Sequence, residues 1–388
     1  MEWRRSRDGS THSVAIVGLG NVGTHVVPLV GRLSDVARVT LVDHDAYEET
    51  NVVSQDITRT AVGRPKAIVQ AERLQRINAA LTVEPLVEPV ELVPLAYFRD
   101  AVVITGLDSR RSRAAVNRIV WRLRVPWIDT GVHADGLLAR VSVYLPGPEH
   151  PCLECAWTDE DYALLEQTYA CVGDGAPVGA TNAPAALGAL AASLAALELQ
   201  KLLAGQWEQV AAGRQVLINA AWHRHFVTTY RRNPECRFDH SRWAVSSLAV
   251  DPHACALGEL CALAGVGPSD LGLEGQVFVR QLTCPACGAV RSCGWRLSGR
   301  LTTSSACDAC GRRTLAAAPD ISEWLRADDL APAVRDRRLV DFGFRPGDVV
   351  TLRYGGEEQH VQLGEPRAAR RGRRVGSHCK EVSDGPYC

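Results

Sequence analysis

The chain has 388 residues, with 46% hydrophobic and 22% charged residues, a composition that excludes a mostly disordered or collagen-like polymer. Lys and Arg number 43 against 44 Asp and Glu, so the net charge of −1 gives no basic excess for nucleic acid or an anionic membrane to select. The outlying number is 13 cysteines; being odd and partly arranged as Cys-x-x-Cys, they read as metal ligands rather than disulfides. Val14–Val17 is a short apolar run ending in glycine, as a buried parallel strand should. Gly18-x-Gly20-x-x-Gly23 follows and opens a helix to about residue 33. A strand is expected over 38–42, a helix over 65–78, a strand over 101–105, a helix over 109–123 and a short strand over 125–128. This alternation predicts an α/β class, a Rossmann-like, mostly parallel sheet with helices on both faces. Segments 137–145 and 215–230 alternate like hairpins. The apolar run Ala183–Leu197, about fifteen residues, falls short of the roughly 18–20 needed to span a bilayer and reads as a buried helix.

After residue 240 the pattern weakens. One helix is expected around 255–263, and a second, short one over 321–330. Gly355-Gly356 between two alternating segments predicts a β-hairpin over 347–363. From Pro366 onward five arginines and one lysine face two acids, the composition of a disordered tail. The expected organisation is thus 1–240, then a β-rich unit over 241–365, then a tail over 366–388. The N-terminal Met1-Glu2-Trp3-Arg4-Arg5 precedes no apolar signal segment, which points to the cytoplasm.

The glycine turn carries the first chemistry. Gly18 permits a tight turn, Gly20 admits a phosphate to the backbone, and Gly23 lets helix and sheet pack closely. The helix N-terminus offers free N–H groups to an anion. Asp43 ends the next strand, 25 residues after Gly18, placed to accept from ribose hydroxyls. By itself this pattern suits NAD as well as ATP. Lys66 at a helix start reads as solvated or as a phosphate ligand, and Asp108 as a metal ligand or the cap of the helix from Ser109.

The order Asp43, Asp45, Asn51, Gln55, Lys66 and Asp108, with a later Cys152-x-x-Cys155, resembles the ThiF/MoeB/ubiquitin-activating superfamily of adenylyltransferases over roughly residues 12–240. That resemblance implies an enzyme that uses ATP and Mg²⁺ to activate the C-terminal glycine of a ubiquitin-like or sulfur-carrier protein. It implies a homodimer, and a ubiquitin-conjugating-like enzyme as a further partner. Gly18, Gly20, Gly23, Asp43, Asp45, Asn51, Gln55, Lys66 and Asp108 would hold the nucleotide, with Lys66 neutralising phosphate oxygens and Asp108 holding Mg²⁺. Cys171, in the loop before the apolar helix, would accept the activated acyl group as a thioester. The chain departs from the family pattern at Ser54, where an arginine is expected. Arg4, Arg5, Arg7, Arg59, Arg64 and Arg111 are the alternatives for a missing arginine finger. An NAD-dependent oxidoreductase and a non-catalytic zinc adaptor are the competing readings.

Two zinc sites are expected. The family resemblance places a four-ligand site at Cys152, Cys155 and the 233–240 segment, where Cys236 has no cysteine three residues on and His240 is the natural fourth ligand of a Cys₃His set. Cys284-x-x-Cys287 and Cys307-x-x-Cys310, nineteen residues apart, have zinc-ribbon spacing. Arg291, Trp295, Arg296 and Arg300 lie between or beside these pairs; protein docking is favoured over nucleic acid, and no membrane partner is expected.

Overall fold

The computed structural model describes residues 11–166, 183–267, 269–301, 306–312, 314, 320–326 and 330–366. Cys171, the arginines before residue 11 and the basic tail lie outside them.

The first part of the chain builds an eight-stranded sheet from β1 (His12–Val17), β2 (Val36–Val42), β3 (Thr82–Leu86), β4 (Ala101–Thr105), β5 (Trp127–His133), β6 (Leu138–Tyr144), β7 (Arg214–Asn219) and β8 (Arg224–Thr229). The strand order is β3-β2-β1-β4-β5-β6-β7-β8. β3, β2, β1, β4 and β5 run parallel, and β5 to β8 form an antiparallel extension. Side chains alternate along β1: Val14 and Ile16 enter one core, Ala15 and Val17 the other. Both faces must therefore be covered, which is why the strand reads as a continuous apolar run. The first face carries α1 (Asn21–Val30) and α2 (Lys66–Ile77), and the second carries α3 (Arg110–Leu123). Past β6 lies the short α4 (Asp159–Glu166).

The alanine-rich helix α5 (Ala185–Leu203) corrects the expected length. At 19 residues it is long and apolar enough to cross a membrane. Its Ala191, Ala195, Leu199 and Leu202 side instead forms part of the core with α1.

The remaining strands come from residues 245–363. β9 (Val245–Leu248), β10 (Asp270–Leu273), β14 (Trp324–Leu325), β15 (Val349–Tyr354) and β16 (Glu357–Leu363) form a five-stranded sheet in the order β14-β10-β15-β16-β9. β11 (Phe278–Thr283), β12 (Val290–Leu297) and β13 (Ile321–Ser322) form a third sheet, and α6 (Leu257–Leu263) lies between β9 and β10 in the chain. The expected helix over 321–330 is overturned: its first half supplies β13 and β14, fixed by pairing with β11 and β10. The hairpin β15–β16 turns at Gly355 and Gly356, both at positive φ, as a two-residue turn between right-twisted strands requires. A core of Phe278, Phe342, Phe344, Leu339 and Val361 holds this unit together. It docks on the α3 face of the large sheet, where Val349 joins the same core as Trp121 and Trp127.

Candidate nucleotide site and metal centres

Helices switch faces between β1 and β4, and at such a switch point the loops after two neighbouring strands diverge and leave a crevice. Here the glycine turn after β1 meets the Gly106–Asp108 loop after β4. Gly18 lies at φ 84°, and a Cβ on it would sit 2.6 Å from the Gly106 carbonyl oxygen. A Cβ on Gly23 would sit 2.0 Å from the Gly18 carbonyl. Gly18 thus makes the turn and Gly23 brings helix against strand. Gly20 differs: only the Gln55 amide, 3.9 Å away, stands near its missing Cβ. Its backbone is open to a ligand at the start of α1, where unpaired N–H groups attract anions.

Asp43, just past β2, is buried and does more than the sequence suggested. One carboxylate oxygen accepts from the Leu19 amide at 2.7 Å, and the other from the Asp45 amide at 2.9 Å. It therefore staples the glycine turn to the loop that carries Asp45. Burial raises its pKa above the carboxylate norm, against the pull of Lys66 and the two amide bonds.

Lys66, the first residue of α2, is buried, and its Nζ donates to Asp45 Oδ2 at 2.9 Å. Burial would raise the Asp45 pKa, but the Lys66 hydrogen bond and charge outweigh it and hold Asp45 low. The solvated alternative for Lys66 is thereby set aside. Asn51 is buried in the turn Glu49–Val53, where its Oδ1 accepts from the Glu48 amide at 2.9 Å. Gln55 is buried too, with Oε1 lacking a protein partner among the described residues. Asp108 is exposed and makes no hydrogen bond among the described residues. It does not cap α3: Ser109 does, its Oγ accepting from the Ser112 amide at 3.3 Å. Asp108 is left available to a ligand.

Several residues that belong to no sequence motif shape the site. Tyr47 is buried, receives from Gln70 Nε2 at 2.8 Å and donates to the Leu19 carbonyl at 3.1 Å. Arg73 donates to the Thr24 and Asp56 carbonyls, tying α1 to the loop after Gln55. Arg113 donates to the Leu107 carbonyl and so holds the Asp108 loop, while its Nε donates to Asp129. Asp129 is fully buried between Arg113 and Arg140; burial opposes its charge, but the two guanidinium groups keep it ionised below the usual range. None belongs to a local motif; only the fold brings them together. Of the alternatives for an arginine finger, Arg59 and Arg64 are occupied by Glu49 and Glu72, and Arg111 lines a cavity behind α3.

The first cysteine cluster is assembled on the α3 face. Cys152 follows β6, Cys155 sits in the turn Leu153–Ala156, and Cys236 and His240 return from beyond β8. Their donor atoms all lie within 4.8 Å of one another. Cys152 Sγ is 3.8 Å from Cys236 Sγ, and Cys155 Sγ is 3.4 Å from His240 Nε2. Tetrahedral zinc with bonds of about 2.3 Å to sulfur and 2.0 Å to nitrogen places sulfurs about 3.8 Å apart and sulfur and nitrogen about 3.5 Å apart. The donor set fits zinc in both chemistry and spacing, with His240, the expected fourth ligand, beside the three thiols. Its ring packs edge-on against Trp121, with centroids 4.7 Å apart.

The second cluster is built from two matching turns. Cys284 donates to and accepts from the Ala289 and Gly288 backbone, and Cys307 does the same with Arg312 and Gly311. Gly288 and Gly311 both have positive φ. Cys284 and Cys310 sulfurs are 3.4 Å apart, and those of Cys287 and Cys307 3.6 Å. The four thiols are compatible with a zinc ribbon.

Residues 7–238 match the model of the ThiF family. A sulfur carrier protein adenylyltransferase of Thermus thermophilus is 30% identical over 240 residues, covering 58% of this chain and 80% of that protein. Ubiquitin-like modifier-activating enzyme 5 of Arabidopsis thaliana is 26% identical over 162 residues, 37% of either chain, so this chain spans little more than a third of that relative. Among solved structures, Escherichia coli MccB with ATP superposes with a TM-score of 0.47 at 22% identity, over 58% of this chain and 66% of that one. The match to the family model covers more than half of the sequence and includes every residue of the switch-point site; the chain belongs to the ThiF family.

Proposed function

We propose that the protein is an ATP-dependent adenylyltransferase that activates the C-terminal carboxylate of a ubiquitin-like or sulfur-carrier protein. The observation that carries this reading is the company at the switch point: an open Gly20 backbone, a buried Lys66, Asn51 and Gln55, and an unengaged Asp108. Relatives named as a sulfur carrier protein adenylyltransferase and a ubiquitin-like modifier-activating enzyme support it. Asp43 takes the ribose while its amide bonds keep the glycine turn in place. The triphosphate lies along the N-terminus of α1, and Lys66 turns from Asp45 to the phosphate oxygens. The substrate carboxylate, already ionised at neutral pH, attacks the α-phosphorus and pyrophosphate leaves, so no general base is required. Lys66 and the amides oppose the accumulating negative charge. Asp108 would hold Mg²⁺, which supplies further neutralisation of the phosphates when bound. Attack of the Cys171 thiolate on the acyl-adenylate, which breaks the acyl–phosphate bond and releases AMP, a homodimeric assembly, a conjugating-type partner and a cytoplasmic setting belong to the same proposal.

The test is isotope exchange between pyrophosphate and ATP with a glycine-terminated carrier protein. Exchange should require the free C-terminal carboxylate, and Lys66→Ala should lower it by about 100-fold or more. Failure of ATP–Mg²⁺ to bind at all overturns the reading. One feature favours a second reading, a non-catalytic zinc scaffold: buried Ser54 stands where the family pattern has arginine, and Arg59 and Arg64 are tied to acids. ATP binding without exchange on any carrier supports that scaffold.

A further inference from the structure

Asp108 sits in the loop after β4, and this loop is pressed against the glycine turn. A Cβ on Gly18 would stand 2.6 Å from the Gly106 carbonyl oxygen and 3.2 Å from a Leu107 methyl. Any shift of the loop therefore moves Asp108 relative to the turn. At one end of the loop the Gly106 amide still belongs to the sheet, donating to the Val17 carbonyl at 2.9 Å. At the other end Ser109 caps α3. Between them, among the described residues, one hydrogen bond holds the backbone: Arg113 Nη2 donates to the Leu107 carbonyl.

The direction of Arg113 is set from β5. Its Nη2 also reaches the Thr130 carbonyl at 3.4 Å, and its Nε donates to Asp129 Oδ1 at 3.2 Å. Asp129 is fully buried and is fixed from two further sides. Oδ1 accepts from Thr105 Oγ1 at 2.8 Å, and Oδ2 from Arg140 Nη1 at 2.8 Å. Thr105 is in turn held by the Trp127 Nε1–H, which donates to its Oγ1 at 2.9 Å. Arg140 of β6 faces Gly131 of β5, and a Cβ on Gly131 would stand 2.8 Å from Arg140 Nε. Only glycine lets the guanidinium lie across the strand and reach Asp129. A continuous path thus runs from β6 through Arg140, Asp129 and Arg113 to the Leu107 carbonyl.

A buried carboxylate between two arginines is a poor source of stability. Its desolvation offsets much of the attraction, and well-packed apolar side chains of the same volume often do as well or better. What such a triad supplies is direction, because a planar guanidinium donates only along fixed lines. We propose that Asp129 is a positioning residue: through Arg113 it holds the Leu107–Asp108 loop and so sets where the Asp108 carboxylate stands beside the glycine turn. It touches neither nucleotide nor metal. The part that concerns Mg²⁺ rests on the adenylation reading, in which Asp108 is the metal ligand; the part that concerns the loop does not.

The experiment uses the full zinc-loaded chain. Hydrogen exchange without nucleotide follows the amides of Gly106, Ser112 and Arg113, whose bonds to Val17 and Ser109 flank the loop. Asp129→Asn keeps the shape but cannot accept from both guanidinium groups. In this variant the three amides should exchange about tenfold faster, while those of β1 and β2 keep the parent rate. Arg113→Gln leaves Asp129 paired with Arg140 and should give the same local change, which decides the matter if Asp129→Asn does not fold. Calorimetry then compares ATP affinity in excess Mg²⁺ and in EDTA. The gain from Mg²⁺ should fall about tenfold in Asp129→Asn. Combining Asp129→Asn with Asp108→Asn should lower that gain no further than Asp108→Asn alone. Parent-like exchange in both variants, or an equal rise along the whole chain, overturns the proposal. So does a Mg²⁺ gain that Asp129→Asn leaves intact, or a double variant that loses the sum of the two. If ATP does not bind the parent at all, the adenylation reading fails, and the exchange rates still decide whether Asp129 holds the loop.

Discussion

The two cysteine clusters use similar donors in opposite ways. The first joins residues more than eighty positions apart and is half buried, with His240 against Trp121 and Cys152 in the core of the large sheet. The second joins two local turns, and Cys287 and Cys310 are exposed. Closing a long loop removes more freedom from the unfolded chain than closing a short one. The first cluster also reaches further. Asp239, next to His240, pairs with Arg122 of α3, and Arg122 pairs in turn with Glu274 of the C-terminal unit. Metal bound at the first site would therefore fasten the end of the family domain to its middle and to its neighbour. Metal bound at the second would tie together only the ends of two turns, away from the core to which Phe278 and Leu297 of the same sheet belong.

The sharpest way to break this comparison is to remove one thiolate from each. Structural zinc contributes roughly 10–16 kcal/mol to the folding of isolated zinc peptides, so losing a ligand should cost several kcal/mol locally. Cys236→Ala should lose one zinc per chain, lower the main unfolding transition and weaken ATP binding. Cys310→Ala should lose one zinc as well, yet leave ATP binding and the main transition nearly intact. Metal analysis with calorimetric melting reads both. Equal damage from the two substitutions would mean that the two clusters hold the chain in the same way.

Arg122 is the next lever. Replacing it with Met keeps much of the aliphatic stem but removes the guanidinium that lies over Phe238 and Trp243 and pairs with Asp239 and Glu274. Asp239 is more than half exposed and can return to water, so a loss of about 1–3 kcal/mol is expected rather than that of a fully buried pair. Because Arg122 and the first cluster share the 236–243 strap, the effects of Arg122→Met and Cys236→Ala should sum to less than their separate values. The same cycle with Cys310→Ala should be additive. Urea denaturation of the four variants measures this.

These two regions also differ in how much could be read beforehand. β4 was legible to the residue, because Ala101–Thr105 is buried on both faces and therefore continuously apolar. β3 carries no such signal: Glu84 and Pro85 interrupt its pattern, and Pro85 is tolerated because β3 is an edge strand with only β2 beside it. In the C-terminal unit the two-residue strands β13 and β14 exist only through their partners, so no local period announces them. At the nucleotide site the glycine turn and Lys66 stood out by type and spacing. The staple made by Asp43 and the burial of Asp129 between two arginines did not, since they depend on loops from different strands meeting at the switch point. Cys171 lies outside the described residues.

The smallest expected effect lies where the two regions touch. The His360 ring, from β16, stacks on Trp243 with centroids 4.0 Å apart and planes 9° from parallel. Its Nδ1 is 3.1 Å from the Thr351 hydroxyl. Burial lowers its pKa; Glu358 pulls the other way, and the charge of Arg122 adds to the lowering. The folded chain therefore prefers the neutral ring more than the unfolded chain does. Its contribution is complete above the ordinary histidine pKa of about 6.5, and it falls away as the pH drops through that value towards the lower folded one. His360→Asn retains a polar group but cannot take up the proton. Between about pH 7.5 and about pH 5 the parent should lose more of its urea midpoint than His360→Asn does. An equal loss in both would mean that the stack on Trp243 does not resist protonation, and that the contact between the two units is looser than the pairing through Arg122 requires.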